Sequence, residues 1–205
     1  MIVLTFILAI CVNVHQALIV ITLAMFFVLI ANEYRNTENI GNTENIGNPD
    51  NTISEFANTL KTLMDNHTDC QFILIGDNRA AHMIALICTN TFYLGKTYCS
   101  RIKACVCIDG FYSDKRLQET ATGKILLTSM FGIRNSYYDV FSIYNITSTT
   151  CPFMLIDTTN GSKHTFDFHY ALKQAGVFVI TKYITDLQDI QTEILCFLNM
   201  GHVTP

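Results

Sequence analysis

The residues best placed to do chemistry in this sequence are Asp77, Asn78 and Arg79. They sit in Gly76-Asp77-Asn78-Arg79-Ala80, after the apolar run Gln71 to Ile75 and before the apolar helical stretch Ala80 to Thr89. A buried strand that turns sharply into a helix lifts the apical residue above the sheet, where its side chain can attack a bound substrate. A serine at that apex would be an acyl-transfer nucleophile. Asn78 stands there instead, and its amide has no ionisable group with which to form a covalent intermediate. Asn does suit the backbone of such a turn, because it tolerates left-handed φ better than most residues. Asp77 is the alternative nucleophile, a carboxylate, but that register puts Ile75 and Arg79 where a tight turn demands small side chains. Arg79 opens the helix, where first-turn amides and a cation could together hold an anion.

The remaining chemistry-bearing residues are scattered. His82 lies inside the helix after the turn, as a core histidine would. His164 and His169 are five apart on one helical stretch, which suggests a surface role, and His202 is near the C-terminus. Eight cysteines occur, at 11, 70, 88, 99, 105, 107, 151 and 196. Most sit in apolar runs, where free Cys behaves as a small hydrophobe. Cys105 and Cys107 share one face of a strand, and no Cys or His pair has zinc-ligand spacing. Buried thiols are therefore expected, with neither metal nor cofactor. The sequons at Asn66, Asn145 and Asn160 matter only in a secreted chain.

Positioning these residues takes one domain of 205 residues, 50% apolar and 15% charged. A net charge of −4 with dispersed Lys and Arg leaves no nucleic-acid footprint. The apolar excess is concentrated in residues 1–31. Asn13 to Gln16 interrupt it, leaving pieces shorter than the roughly 20 residues of a spanning helix. A cleaved signal would need a basic start, and no Lys or Arg precedes Arg35. The pattern predicts core structure: a strand at Ile2 to Ile10, a helix at His15 to Met25 and a strand at Phe26 to Ala31. A membrane anchor is the alternative, and it would leave the body cytoplasmic.

Residues 36–50 hold a six-residue repeat, Asn-Thr-Glu-Asn-Ile-Gly, and read as a low-complexity surface loop. Apolar spacing at Ile53, Phe56, Leu60 and Met64 predicts a helix from Thr52 to Asp65. Strands follow at Cys70 to Ile75, Arg101 to Ile108, Pro152 to Ile156 and Val177 to Ile184. Helices follow at Ala80 to Thr89, His164 to Gln174 and Ile190 to Met200. Residues 115–150 read as a lid-like insertion. This alternation means a mostly parallel sheet with helices on both faces, a three-layer α/β domain. Its ligand edge is at the strands' C-terminal ends, next to Asp109.

This arrangement resembles the α/β-hydrolase esterases, in particular the carboxylesterase and arylformamidase-like branch, along most of the chain. Gly76 and His82 match that branch's Gly-His-Ser-Ala-Gly-Gly-His, and Tyr34-Arg35 match a strand ending in Asn-Tyr-Arg. Gly110-Phe111-Tyr112 is similar to its Gly-Val-Tyr-Asp. Pro152 to Ile156 and Ala171 to Val177 resemble its late strand and its helix ending in Ala-Gly-Val. The resemblance implies a chain lacking the family's first strands. It also implies a serine at Asn78, an acid near Asn160 (Asp157 being too early), a histidine near Leu187-Gln188 and an oxyanion loop near Leu8-Ala9-Ile10. This sequence departs from the pattern at each position. The expectation is a degenerate, inactive pseudo-esterase that keeps a site for a hydrophobic small molecule, ester or partner at Arg79, Asp109 and Tyr112. The alternatives are an active ester or amide hydrolase using Asp77, and a membrane-anchored interaction protein using residues 1–31. An exposed sheet edge predicts either a homodimer through that edge or poor solubility.

Overall fold

Short runs rich in Ile, Val, Leu and Phe form one parallel sheet in the computed structural model, which describes residues 18–22, 49–131, 137–158, 163–184 and 186–200. The strands are β1 (Leu18–Thr22), β2 (Gln71–Asp77), β3 (Ile102–Ile108), β4 (Phe153–Asp157) and β5 (Val179–Tyr183). They lie in the order β1-β2-β3-β4-β5, and each neighbouring pair is parallel. The helices are α1 (Pro49–Asn66), α2 (Arg79–Thr89), α3 (Thr91–Leu94), α4 (Lys96–Cys99), α5 (Lys115–Gln118), α6 (Ala121–Phe131), α7 (Lys163–Gln174) and α8 (Leu187–Leu198).

The strands read as unbroken apolar runs because both faces of the sheet are covered. Alternate side chains go to opposite layers. Phe72, Leu74, Cys105, Cys107, Phe153 and Leu155 pack with residues of α1, α2 and α7. Ile73, Ile75, Ala104, Val106, Met154 and Ile156 pack with Ile190, Ile194 and Phe197 of α8. The expected α/β class, with a parallel sheet and helices on both faces, is borne out.

Two segments near the start depart from expectation. Leu18–Thr22, expected within a helix, is a strand in register with β2 from Leu18↔Gln71 to Thr22↔Ile75. Ile19, Val20, Ile21 and Thr22 are β-branched, the residue type enriched in strands. Pro49 and Asp50, expected in the low-complexity loop, are the first residues of α1. Pro is favoured there because the first helical N–H has no intrahelical acceptor. The expected strands Ile2 to Ile10 and Phe26 to Ala31, and the hexapeptide repeat itself, lie outside the described residues. Among those described, no helix is long and apolar enough to cross a membrane.

The 115–150 insertion has its own small core of Leu117, Leu127, Phe131, Val140 and Phe141. It is tied to the end of β3 by buried Asp114, which accepts hydrogen bonds from Gln118 Nε2 and Tyr144 Oη, both at 2.5 Å. The seven described cysteines are free thiols. Cys105 and Cys107 share a strand face, with their sulfurs 3.4 Å apart.

Arg101 pins the turn that feeds β2. Its guanidinium donates to the carbonyls of Met64 at 2.9 Å, Cys70 at 3.0 Å and His67, and it lies over the Phe72 ring. Arg101→Met keeps the packing and removes the donors. It is expected to cost about 2–4 kcal/mol, since charged donors to carbonyls contribute roughly 1.5–3 kcal/mol each without full additivity. The shift in urea midpoint at unchanged slope measures it.

Candidate functional site at the strand-to-helix turn

The turn from β2 into α2 is tight for a stated reason. A Cβ on Gly76 would lie 2.7 Å from the Ala80 carbonyl carbon and 2.8 Å from the Ala81 nitrogen. Only glycine lets the helix start this close to the strand, and Ala80 is small enough to face it. β2 runs to Asp77, two residues past its expected end, with Asp77 paired to Ile108. Asn78 then takes φ 51° and ψ −110°, one of two non-glycine residues at positive φ among those described. This conformation raises the residue clear of the sheet. Its backbone N–H donates to Ile108 O at 2.8 Å, and its carbonyl accepts from His82 N at 3.1 Å.

At the apex an amide faces a carboxylate. The Asn78 side chain is exposed, and its Nδ2 donates to Asp77 Oδ1 at 2.9 Å. Loss of solvent holds the Asp77 carboxyl above its ordinary range. The Asn78 hydrogen bonds oppose that rise, and repulsion from Asp109 adds to it. Arg79, half-buried at the first position of α2, makes no ion pair among the described residues.

Asp109 follows β3 at φ 50°, the other positive-φ residue. Its carboxylate accepts from the Thr158 N–H at 2.8 Å and from the Thr158 hydroxyl, which ties the end of β3 to the end of β4. Asp77, Asp109 and Thr158 therefore follow one another along the C-terminal ends of adjacent strands. Sequence reasoning missed Thr158, since nothing in an isolated threonine marks it as a carboxylate's partner.

Tyr112, expected at the binding edge, is in the core instead. It is fully buried, stacks on Phe168 at 4.4 Å and accepts from Gly110 N at 3.2 Å. Its ring folds back over Gly110, where a Cβ would meet the phenol at 2.4 Å. That contact accounts for the Gly110-Phe111-Tyr112 sequence. Asp157 is also buried at the end of β4, its carbonyl accepting from Ile184 N at 3.1 Å. Asn160 lies outside the described residues. Leu187 is the first residue of α8, which begins three residues before its expected start.

Packing places three of the histidines, His82, His164 and His169. His82 is buried one helical turn beyond Asn78, its Nδ1 donating to Phe111 O at 2.6 Å. Its ring lies 5.4 Å from Phe131 and 5.2 Å from Phe141, so it joins the elbow helix to the insertion. Nε2 is buried without a partner among the described residues, which fits a neutral ring. Burial lowers its pKa to about 4; the Phe111 carbonyl opposes the shift and Arg79 reinforces it. His164 packs edge-on to the Phe111 ring at 5.9 Å, and His169 pairs with the Thr181 hydroxyl at 2.7 Å. Among the described residues, no group of three or more His, Cys, Asp and Glu is arranged to hold a metal ion.

A pH dependence follows from His82. The unfolded chain takes up a proton near pH 6.5, whereas the folded chain resists until about pH 4. Stability should therefore fall as pH drops from 6.5 towards 4 and level off below that, by about 3 kcal/mol at the usual 1.36 kcal/mol per tenfold in proton affinity. Melting temperatures across that range, compared with those of His82→Gln, check it. The variant should lack the His82 part of the slope.

No family model matches the sequence, and no curated protein sequence matches it. Solved structures do match. A truncated carbohydrate esterase from gut microbiota aligns with TM-score 0.56 at 11% identity, over 71% of this chain and 66% of that one. An acetyl ester-xyloside bifunctional hydrolase from Caldicellulosiruptor lactoaceticus aligns with TM-score 0.51 at 15% identity, over 74% and 65%. One of two fungal esterases from Rhizomucor miehei aligns with TM-score 0.55 at 12% identity, over 71% and 57%. The chain thus spans no more than about two thirds of each of these proteins. At such identities the likeness is one of fold.

Proposed function

We propose that this chain, which has the α/β-hydrolase fold, is a non-hydrolytic member of that architecture whose strand-end edge binds a small hydrophobic or ester-like molecule without turning it over. One observation carries the reading: the apex of the elbow, in a nucleophile's backbone conformation, presents an amide tied to Asp77. An acyl-enzyme needs an oxygen or sulfur nucleophile and a base within hydrogen-bond reach. Asn78 supplies neither, and the imidazoles of His82, His164 and His169 are engaged by the Phe111 carbonyl, the Phe111 ring and Thr181. Asp77 is the rival nucleophile. It belongs to β2 rather than to the lifted apex, and its carboxylate holds the Asn78 amide. The residues offered to a ligand are Arg79, Asp77 and Asp109, with Thr158 fixing the last.

Freshly purified full-length protein incubated with a short-chain aryl ester is expected to show no turnover above buffer. Turnover that vanishes in Asp77→Ala would overturn the reading in favour of a carboxylate-nucleophile hydrolase. Asn78→Ser is expected to restore nothing above Asn78→Ala, because the imidazoles of His82, His164 and His169 are held elsewhere and the Asp77 carboxylate is a far weaker base than an imidazole. A gain on the order of a hundredfold, the size general-base assistance supplies, would mean that a histidine does reach the apex.

A further inference from the structure

The torsion that makes Asn78 an elbow also aims its own side chain at the next peptide bond. Around the Cα–C bond of an L-residue, Cβ is offset by about 120° from the residue's own nitrogen, so the following nitrogen eclipses Cβ near ψ of about −120°. Asn78 has ψ −110°. The side-chain carbonyl carbon can therefore close a nearly flat five-membered ring on the Arg79 nitrogen without rotating the backbone. Asn90 at ψ 101° and Asn145 at ψ 8° hold the following nitrogen well away from Cβ. In folded chains the native backbone is what usually prevents this ring from forming.

We propose that Asn78 is a self-modification site, converted through a cyclic imide with the Arg79 nitrogen into aspartate and isoaspartate. Three further features of the turn support it. Arg79 is the first residue of α2, so its N–H has no intrahelical acceptor to give up. The Asn78 amide caps no helix N–H and is exposed, so water reaches it. Its Nδ2, the leaving nitrogen, is held by the Asp77 carboxylate, which burial makes more basic than usual.

The chemistry balances without an oxidant or cofactor. The Arg79 nitrogen bonds to Asn78 Cγ and gives up its proton, the Cγ–Nδ2 bond breaks, and ammonia leaves. Water then opens the imide. Attack at Cγ releases the Arg79 nitrogen and leaves aspartate on a normal backbone. Attack at the main-chain carbonyl carbon leaves isoaspartate, with one extra methylene in the backbone. Either product adds a negative charge beside Asp77 and Asp109. The apex thus changes from an amide to a carboxylate over the protein's lifetime, whether or not the edge hydrolyses anything.

Incubating the full chain at mildly alkaline pH, folded or in concentrated urea, and mapping the peptide that ends at Arg79 by tandem mass spectrometry tests this. A gain of about 1 Da (amide to acid) should localise to Asn78 rather than Asn66, with isoaspartate among the products. It should build up on the order of tenfold faster in the folded chain than in urea, the reverse of the protection folding gives other asparagines. Arg79→Ala should still convert, because the attacking atom is main-chain, and Asn78→Gln should not, because it would need a larger ring. Conversion no faster in the folded chain than in urea, or abolished by Arg79→Ala, would overturn the proposal. The readout is mass, so its failure is distinguishable from a failure of the ester-turnover test.

Discussion

Helix α2 starts so close to strand β2 that no side chain fits at Gly76, and most of the structure is arranged around that approach. Every residue of α2 from Ala80 to Thr89 is buried, which makes it a helix covered on all sides rather than an amphipathic surface one. It lies against β2 and β3 on one side and receives the insertion's Phe131 and Phe141 through His82 on another. A side chain at Gly76 would push α2 off the sheet, separating the layer shared by α1, α2 and α7 from the strands beneath. The cost would be felt through close-packed neighbours, since interiors at crystal-like density cannot absorb an atom locally. The turn's geometry is therefore a property of the core before it is a property of any site.

What stands above the turn follows from that placement. Because β2, β3 and β4 run parallel and end close together, Asp77, Asp109 and Thr158 are neighbours without being close in sequence. Repulsion from Asp109 raises the proton affinity of Asp77. The edge manages this by giving each a different partner: Asp109 takes the Thr158 hydroxyl and N–H, and Asp77 takes the Asn78 amide. An alcohol at the apex could donate one proton to Asp77, but it would do so with the atom that has to attack. Asn78 thus fits an edge whose two carboxylates are satisfied by their neighbours, which leaves Arg79 as the group without an ion pair among the described residues.

The sheet was legible in the sequence because strands buried on both faces show as uninterrupted apolar runs, and four of the five strands were located that way. Leu18–Thr22 was not, because it lies inside a longer apolar stretch without punctuation, where strand and helix cannot be told apart by period. The elbow was legible because Gly76 and the abrupt change to a helical pattern mark it. Tyr112 misled for a geometric reason. A polar tip beside a sheet edge reads as a ligand contact, and only the three-dimensional fold shows the chain doubling back to place the ring over Gly110 against Phe168. The Asp109–Thr158 pair was invisible because its members are 49 residues apart and their types are ordinary.

An α/β-hydrolase elbow puts two demands on its apical residue, one conformational and one chemical, and this chain separates them. The first comes from the Gly76 approach: whatever stands at 78 must accept positive φ, a cost of order 1–3 kcal/mol for most side chains and less for Asn. The second comes only from the reaction. A residue can therefore meet the fold's requirement fully while failing the reaction's, and nothing in the packing around α2 opposes the exchange. This is why the fold is a guide to where chemistry would occur and not to whether it does. The torsion that in a serine elbow exposes an oxygen to substrate here exposes an amide carbon to its own backbone. On the proposed reading, the reactivity the turn imposes is directed inward, to the peptide bond that begins the helix.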